Sequence, residues 1–161
     1  MTVLSPMTES EFADYLAVAI PEYAQDKIAS GQWAAAEALE LSRRDYADQL
    51  CGGLSTPEHF LFTVRDGATQ AGIGMLWFAV QERGGQRIAF VYDVAIQVEH
   101  QRQGHASRAF AALEDEVRRR GLSGIALHVF GHNTGAQALY RSLGYATTNI
   151  TMFKQLAGST A

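Results

Sequence analysis

One stretch of this chain restricts the possible folds more than any other. Residues Arg87 to Ile96 are nearly all apolar, many of them β-branched or aromatic, as in a strand buried inside a sheet. A short and largely polar turn, Gln97 to Gln103, follows. From Gly104 to Arg120 the period changes, and Ala106, Phe110, Leu113 and Val117 recur on one helical face. Arg118, Arg119 and Arg120 complement the negative end of the helix dipole, and Gly121 ends the helix. A buried strand that turns directly into an amphipathic helix requires a sheet around the strand and puts the helix N-terminus at the sheet's edge.

The flanking sequence fills in that sheet. Thr8-Glu9-Ser10-Glu11 has the form of a capping box, with Phe12, Tyr15, Leu16 and Ala19 on the face behind it. Pro21 is expected to break or kink this helix, and Glu22 to Ser30 to continue it as a further piece. A second helix is expected from about Ala34 to Leu50, burying Ala35, Leu39, Ser42, Tyr46 and Leu50. His59–Val64, Ala71–Gln81 and Arg87–Ile96 read as three antiparallel strands joined at Asp66-Gly67 and Gly84-Gly85. The third is expected to be central. Beyond the Gly104 helix, alternation at Ile125, Leu127 and Val129 predicts a strand, Asn133 or Thr134 caps a helix bearing Ala136, Leu139, Tyr140 and Leu143, and Tyr145–Lys154 reads as a final strand. Thr2–Leu4 is a candidate short first strand. At 161 residues the chain is expected to form a single α+β domain across 1–161, a mixed, mostly antiparallel sheet with helices on both faces.

Composition narrows the function. The formal charge is −4, which argues against general nucleic-acid binding. It is unevenly placed: residues 1–100 carry 6 basic and 14 acidic side chains, residues 101–161 carry 7 and 3. An anionic ligand late in the chain and a cationic one early would suit that asymmetry, as would a chance imbalance on one solvated surface. Cys51 is the one cysteine, so no disulfide can form within the chain, in keeping with a cytoplasmic setting. No metal-ligand spacing occurs, no apolar run is long enough to cross a bilayer, and the first residues do not resemble a secretory signal.

The junction Gln101-x-x-Gly104-x-Ala106 carries the chemistry. The first turn of a helix has backbone N–H groups without internal partners, and together with the helix dipole they favour an anion. Gly104 and the small Ala106 let a ligand approach the backbone, and Arg102, His105 and Arg108 add positive charge nearby. The Gly-Lys-Ser/Thr ending of an NTPase loop and the GxGxxG of a dinucleotide fold are both absent. Taken alone, the pattern is weak and is better explained by a glycine that merely tightens a turn.

The wider run VAIQVEHQRQGHASRAF resembles the acetyl-CoA motif of the GNAT superfamily of N-acetyltransferases, Q/R-x-x-G-x-G/A. LHVFGHNTGAQALYRSLGY resembles that family's next motif, N-x-x-A-x-x-L-Y-x-x-x-G-F/Y, filled by Asn133, Ala136, Leu139, Tyr140, Gly144 and Tyr145. The stretch IPEYAQDKIASGQW is similar to a bacterial branch of the YycN type, which assigns no acceptor. The resemblance implies acetyl-CoA as cosubstrate. The backbone of a bulged strand ending at Val94, Ala95 and Ile96 would meet its pantetheine arm. N–H groups of Gln101, Arg102, Gln103, Gly104, His105, Ala106 and Ser107 would hold its pyrophosphate, and Asn133 would reach the arm or order the loop. Two departures are Gln101 in place of Arg and Ala106 in place of Gly.

The implied reaction is direct attack of a primary amine on the thioester. Tyr140 is the natural acid for the departing sulfur, since a phenol is protonated at neutral pH. Without the motif it would read as a core tyrosine. His128 points off the apolar face of its strand and is a candidate base; a histidine bonded within the sheet is the equal alternative. Asp93 lies in an apolar strand, where pairing with Arg87 or a backbone turn is the first explanation. Glu22, Tyr23 and Asp26 are candidates for holding the amine, or a solvated helix face. His100 and His132 read as surface residues in turns. A non-catalytic acyl-CoA sensor or partner subunit on the same fold is the alternative function. A monomer or a homodimer is compatible with the sequence, with no membrane or nucleic-acid partner.

Overall fold

The computed structural model describes residues 1–158. Its elements in chain order are β1 (Thr2–Pro6), α1 (Glu9–Ala29), α2 (Ala38–Gln49), β2 (His59–Asp66), β3 (Gly72–Arg83), β4 (Gln86–Ile96), α3 (His105–Arg119), β5 (Ile125–Leu127) and α4 (Thr134–Ser142), with single 3-10 turns at Gly53–Ser55 and Val98–His100. The sheet order is β1-β2-β3-β4-β5. Every neighbouring pair is antiparallel except β4–β5, which is parallel. The expected mixed, mostly antiparallel α+β architecture is therefore present. The strand flanked by two others on each side is β3, not β4 as the sequence suggested.

The capping box forms. Thr8 Oγ1 accepts the Glu11 N–H, and the Glu11 carboxylate accepts the Thr8 N–H at 2.9 Å. The same carboxylate takes Arg65 of β2 at 2.6 Å, and Arg65 Nε donates to Ser5 of β1 at 2.7 Å, so the start of α1 is tied to two strands. Pro21 does not divide the helix as expected; α1 runs through it. Only one ladder donor is lost there, and the Ser42 hydroxyl holds the adjacent Ile20 carbonyl at 2.7 Å. Helix α2 starts four residues later than predicted, and its buried face is Ala38, Ser42 and Tyr46, followed by Leu50. Ala35 and Leu39 are exposed, because small residues meet α1 and turn the helix away from them.

Helices cover both faces of the sheet. On one face Phe62, Val64, Leu76, Phe78 and Val91 pack with Ala109, Phe110, Leu113 and Val117 of α3, and with Tyr140 and Leu143 of α4. On the other, Leu61, Met75 and Trp77 pack with Met7, Ala19 and Tyr46. Consecutive strand residues thus serve opposite cores, as the pleat requires.

Two features of the sheet shape what lies beside it. Phe78 pairs with Val91 but Trp77 with Asp93, so Tyr92 is an inserted bulge residue. And β5 pairs with β4 only from Ala89 to Val91. From Tyr92 to Ile96, β4 has β3 on one side and no strand on the other among the described residues, so the sheet opens into a wedge. The predicted final strand, Tyr145–Lys154, is not formed. A strand exists only where another pairs with it, and no described element does so.

Candidate active site

The wedge is lined by the last residues of β4, and the loop that follows is held against it. The Gln101 side chain donates to the Ile96 carbonyl at 2.8 Å, and that of Gln103 to the Glu99 carbonyl at 3.1 Å. Arg102 (φ 62°) and Gly104 (φ 80°) are both left-handed. Alternation of handedness turns successive N–H groups toward a common side, the geometry of an anion-binding nest. Arg102, Gln103, Gly104, His105, Ala106 and Ser107 have backbone N–H groups that meet no hydrogen-bond acceptor among the described residues. They are six of the seven expected from the sequence; the Gln101 N–H is not free for a ligand, because it donates to the Val98 carbonyl at 3.2 Å and closes the 3-10 turn before the loop.

The charges around the loop differ from expectation. His105 is buried, with Nδ1 3.2 Å from both the Thr2 hydroxyl and the Arg108 guanidinium. Its ring supports the loop from below and offers the outer face only its main chain. Arg108 folds back, donating to the Gln103 carbonyl at 2.9 Å and to Thr2 at 3.1 Å. Arg102 is exposed. Asn133 caps α4, its side-chain oxygen accepting the Ala136 N–H at 3.1 Å.

The wedge-lining stretch of β4 itself carries a carboxylate. Asp93 accepts a 2.8 Å hydrogen bond from the Tyr15 hydroxyl of α1. The suggested pairing with Arg87 does not occur; Arg87 binds Glu58 at 3.1 Å instead. Burial raises the Asp93 pKa above the usual carboxylate range. The Tyr15 bond offsets this in part, and the charges of Glu22 and Asp26 push it further up. Tyr140 is half-buried, its ring edge-on to Phe110 at 5.6 Å. Burial and, secondly, Asp93 raise its pKa as well, so its phenol stays protonated at neutral pH. Asp93 therefore feels the charges of Glu22 and Asp26, and Tyr140 feels that of Asp93.

The α1 side of the site is acidic and aromatic. Pro21, Glu22, Gln25 and Asp26 line an open groove of about 400 Å³. Tyr23 stands edge-on to Trp33 at 5.5 Å and to Tyr46 at 5.8 Å, with the Lys27 ammonium 5.4 Å from its ring. His132, read from sequence as a plain surface residue, reaches Asp26 with Nε2 at 3.2 Å and so links the β5–α4 loop to α1. His128 is exposed one residue beyond β5, its ring edge-on to Phe130 at 5.1 Å.

Sequence reasoning missed Tyr15 as a polar partner and undervalued Asp93. The signal was available: a lone carboxylate inside an apolar strand needs a partner. Its identity was hidden, since Tyr15 lies 78 positions away.

The chain is similar to known proteins along nearly its whole length. The chain is 35% identical over 157 residues to the uncharacterized N-acetyltransferase YycN of Bacillus subtilis (strain 168), covering 97% of this chain and all of that one. It is 33% identical over 153 residues to YdgE of the same organism, covering 95% and 97%. The crystal structure of the YycN protein superposes with a TM-score of 0.92 at 34% identity, over 97% of this chain and 99% of that one. The pattern of the acetyltransferase (GNAT) family matches residues 23–145, from Tyr23 on α1 through the wedge to the end of the α4 motif, and the chain belongs to that family.

Proposed function

We propose that the protein transfers an acetyl group from acetyl-CoA to a primary amine, with both bound together. The observation that carries this is the run of six acceptor-free N–H groups, Arg102 to Ser107, directly after the open edge of β4. Those donors fit a pyrophosphate, and an extended arm fits beside Val94, Ala95 and Ile96, where a strand is lacking. Gln101 holds the loop to β4, and Asn133 orders the start of α4.

Acetyl-CoA supplies the activated acyl group as a thioester; the chain's residues supply the rest. A main-chain N–H at the end of β4 stabilises the charge developing on the carbonyl oxygen. Tyr140 holds the proton needed by the departing sulfur. Two groups are candidates for taking the proton from the attacking amine. Asp93 is favoured, because its charge already acts on Tyr140 and on the acidic α1 side. His128, beyond the end of β5, is the alternative acceptor. Glu22, Tyr23 and Asp26 hold the amine, whose ammonium form is drawn to their side of the wedge. The family setting and the lack of any described helix long and apolar enough to cross a membrane fit a cytoplasmic enzyme of one domain.

The test is release of free thiol from acetyl-CoA in the presence of a panel of amines. Tyr140→Phe is expected to lower the rate by at least about tenfold while acetyl-CoA still binds. An unchanged rate removes Tyr140 from the mechanism. Tight binding without thiol release for any acceptor overturns the catalytic reading in favour of a sensor.

A further inference from the structure

The loop after β4 does not hold itself in shape. The N–H groups of Arg102 to Ser107 meet no acceptor among the described residues. Arg102 is a non-glycine residue in the left-handed region, a conformation that persists only where the surroundings fix it. The direction of each free N–H is therefore set from elsewhere. For Gly104, inside the run, one contact does this. The Gln103 carbonyl and the Gly104 N–H belong to one planar trans peptide and point in opposite directions. Arg108 Nη2 donates to that carbonyl at 2.9 Å. The carbonyl is thus drawn to the Arg108 side, and the Gly104 N–H is turned to the other side, where no acceptor of the chain meets it.

Arg108 is itself held. Its Nε donates to the Thr2 hydroxyl of β1 at 3.1 Å, and its Nη2 lies 3.2 Å from His105 Nδ1. A guanidinium only donates, so Nδ1 is the acceptor. The Thr2 hydroxyl, having accepted from Arg108, turns its own proton to the same Nδ1 at 3.2 Å. Thr2 and His105 are both buried, so neither can exchange these partners for water. Thr2 is fixed in turn, because β1 pairs with β2 from Thr2 to Pro6 and lies beside α3. The guanidinium also rests against Gly104: a Cβ there would stand 2.8 Å from Arg108 Nη1.

We propose that Arg108 is a positioning residue for acetyl-CoA, and that the Thr2 hydroxyl, acting through it, aims the Gly104 N–H and so sets the cofactor's affinity. The identity of the ligand rests on the function proposed above. Neither side chain needs to touch it. The bracket is a planar fork serving Thr2, His105 and Gln103 at once, which the single ammonium of a lysine cannot reproduce. It gives β1, at the edge of the sheet opposite β5, a part in binding.

Calorimetric titration of the full chain with acetyl-CoA, joined to NMR relaxation of backbone amides in the free protein, tests this. Thr2→Val keeps the shape of the side chain and loses the hydroxyl. Affinity is expected to fall about fivefold, as for one lost hydrogen bond, and Thr2→Ser to stay within about twofold of wild type. Arg108→Lys keeps the charge and loses the fork, with a fall of about tenfold. The two losses do not multiply: Thr2→Val combined with Arg108→Lys binds as Arg108→Lys alone, because both act through one contact. In the free wild type the Gly104 amide has an order parameter of about 0.85, and in Thr2→Val and Arg108→Lys it drops below about 0.6. Unchanged affinity in Thr2→Val, losses that multiply, or a Thr2→Ser that fails to restore binding overturns the inference. If Thr2→Val does not fold, Arg108→Lys decides, and a wild-type affinity or a wild-type order parameter in it overturns the inference. A wild type that does not bind acetyl-CoA overturns the proposed function instead. The order parameters then judge the bracket alone, and equal rigidity in wild type and variants overturns it.

Discussion

Gly74 offers a sharp test of how the wedge is held. It lies on β3 opposite Ile96. A Cβ added there would stand 2.9 Å from Ile96 Cδ1 and closer still to the Ala95 carbonyl oxygen. Restoring an ordinary contact of about 3.5 Å moves the Ile96 side chain by roughly 0.6 Å. The Ala95 carbonyl must move further, and it belongs to backbone that cannot rotate aside. Gly74→Ala therefore pushes the end of β4 outward, at a cost of about 1–3 kcal/mol, as for other overpacked sites. At this chain length each kcal/mol lowers the melting temperature by roughly 2–4 °C, so a drop of about 3–10 °C is expected by circular dichroism. Because Ala95 and Ile96 are the proposed edge for acetyl-CoA, its affinity should fall as well, by about tenfold, or roughly 1.4 kcal/mol. Gly72→Ala is the control: its Cβ would meet side-chain ends and no backbone, the Thr63 methyl at 3.2 Å and Arg65 Nη1 at 3.7 Å. If Gly74→Ala melts like Gly72→Ala and binds acetyl-CoA normally, the reasoning about the β3–β4 contact is wrong.

Other outcomes follow from the same geometry. Hydrogen bonds from the Thr8 backbone first, and then from Arg65, hold the Glu11 pKa down to about 2 against an ordinary 4.5. Its stabilisation is thus complete above pH 4.5 and lost as pH falls through about 2. Glu11→Gln should lose about 1–2 kcal/mol in urea unfolding at neutral pH, the lower part of the range for charged hydrogen bonds because the side chain is partly exposed. That deficit should close on acidification; one independent of pH would assign the effect to packing. Asp93 has the opposite sign. Its pKa is raised, so its contribution to stability is greatest in acid and is lost as pH rises through the folded value. Asp93→Asn should melt no lower than wild type at neutral pH yet lose thiol release and the acid limb of the kcat/KM profile. Retention of that limb, with its loss in His128→Gln, would transfer the base role to His128. Gly104→Ala puts a side chain in the left-handed region and 2.8 Å from the Arg108 guanidinium. It should lose about 1 kcal/mol of stability and weaken acetyl-CoA binding in calorimetry, whereas Gly121→Ala should lose stability alone.

Much of this molecule is legible in one dimension because its determinants are local. The capping box of α1, the helical stripe of α3, the cap of α4 at Asn133 and the glycine that opens α3 all depend on residues within a turn of one another. Strand positions followed from alternation and turn residues, and the loop Gln101–Ser107 could be recognised because its donors are main-chain groups whose direction is set by local dihedrals. What failed was non-local. The α2 face was misjudged at Ala35 and Leu39 because the packing of α1 chooses it, and Tyr145–Lys154 was read as a strand because composition states a preference while pairing requires a neighbour.

Asp93 marks the boundary most clearly. The sequence determined that a carboxylate sits in an apolar strand beside an anion-binding turn. Simple alternation would have set it on the same face as Val91, against α3. The bulge at Tyr92 moves it to the face of Trp77 and Tyr15, next to the acidic side of α1, and by the same shift brings Val94 and Ile96 to the α3 face. An inserted residue of this kind is a property of the register between two strands, and register is settled only when both are packed against their cores. The chain by itself thus decided which groups are present and where a phosphate is welcome; the folded sheet decided which of them face one another.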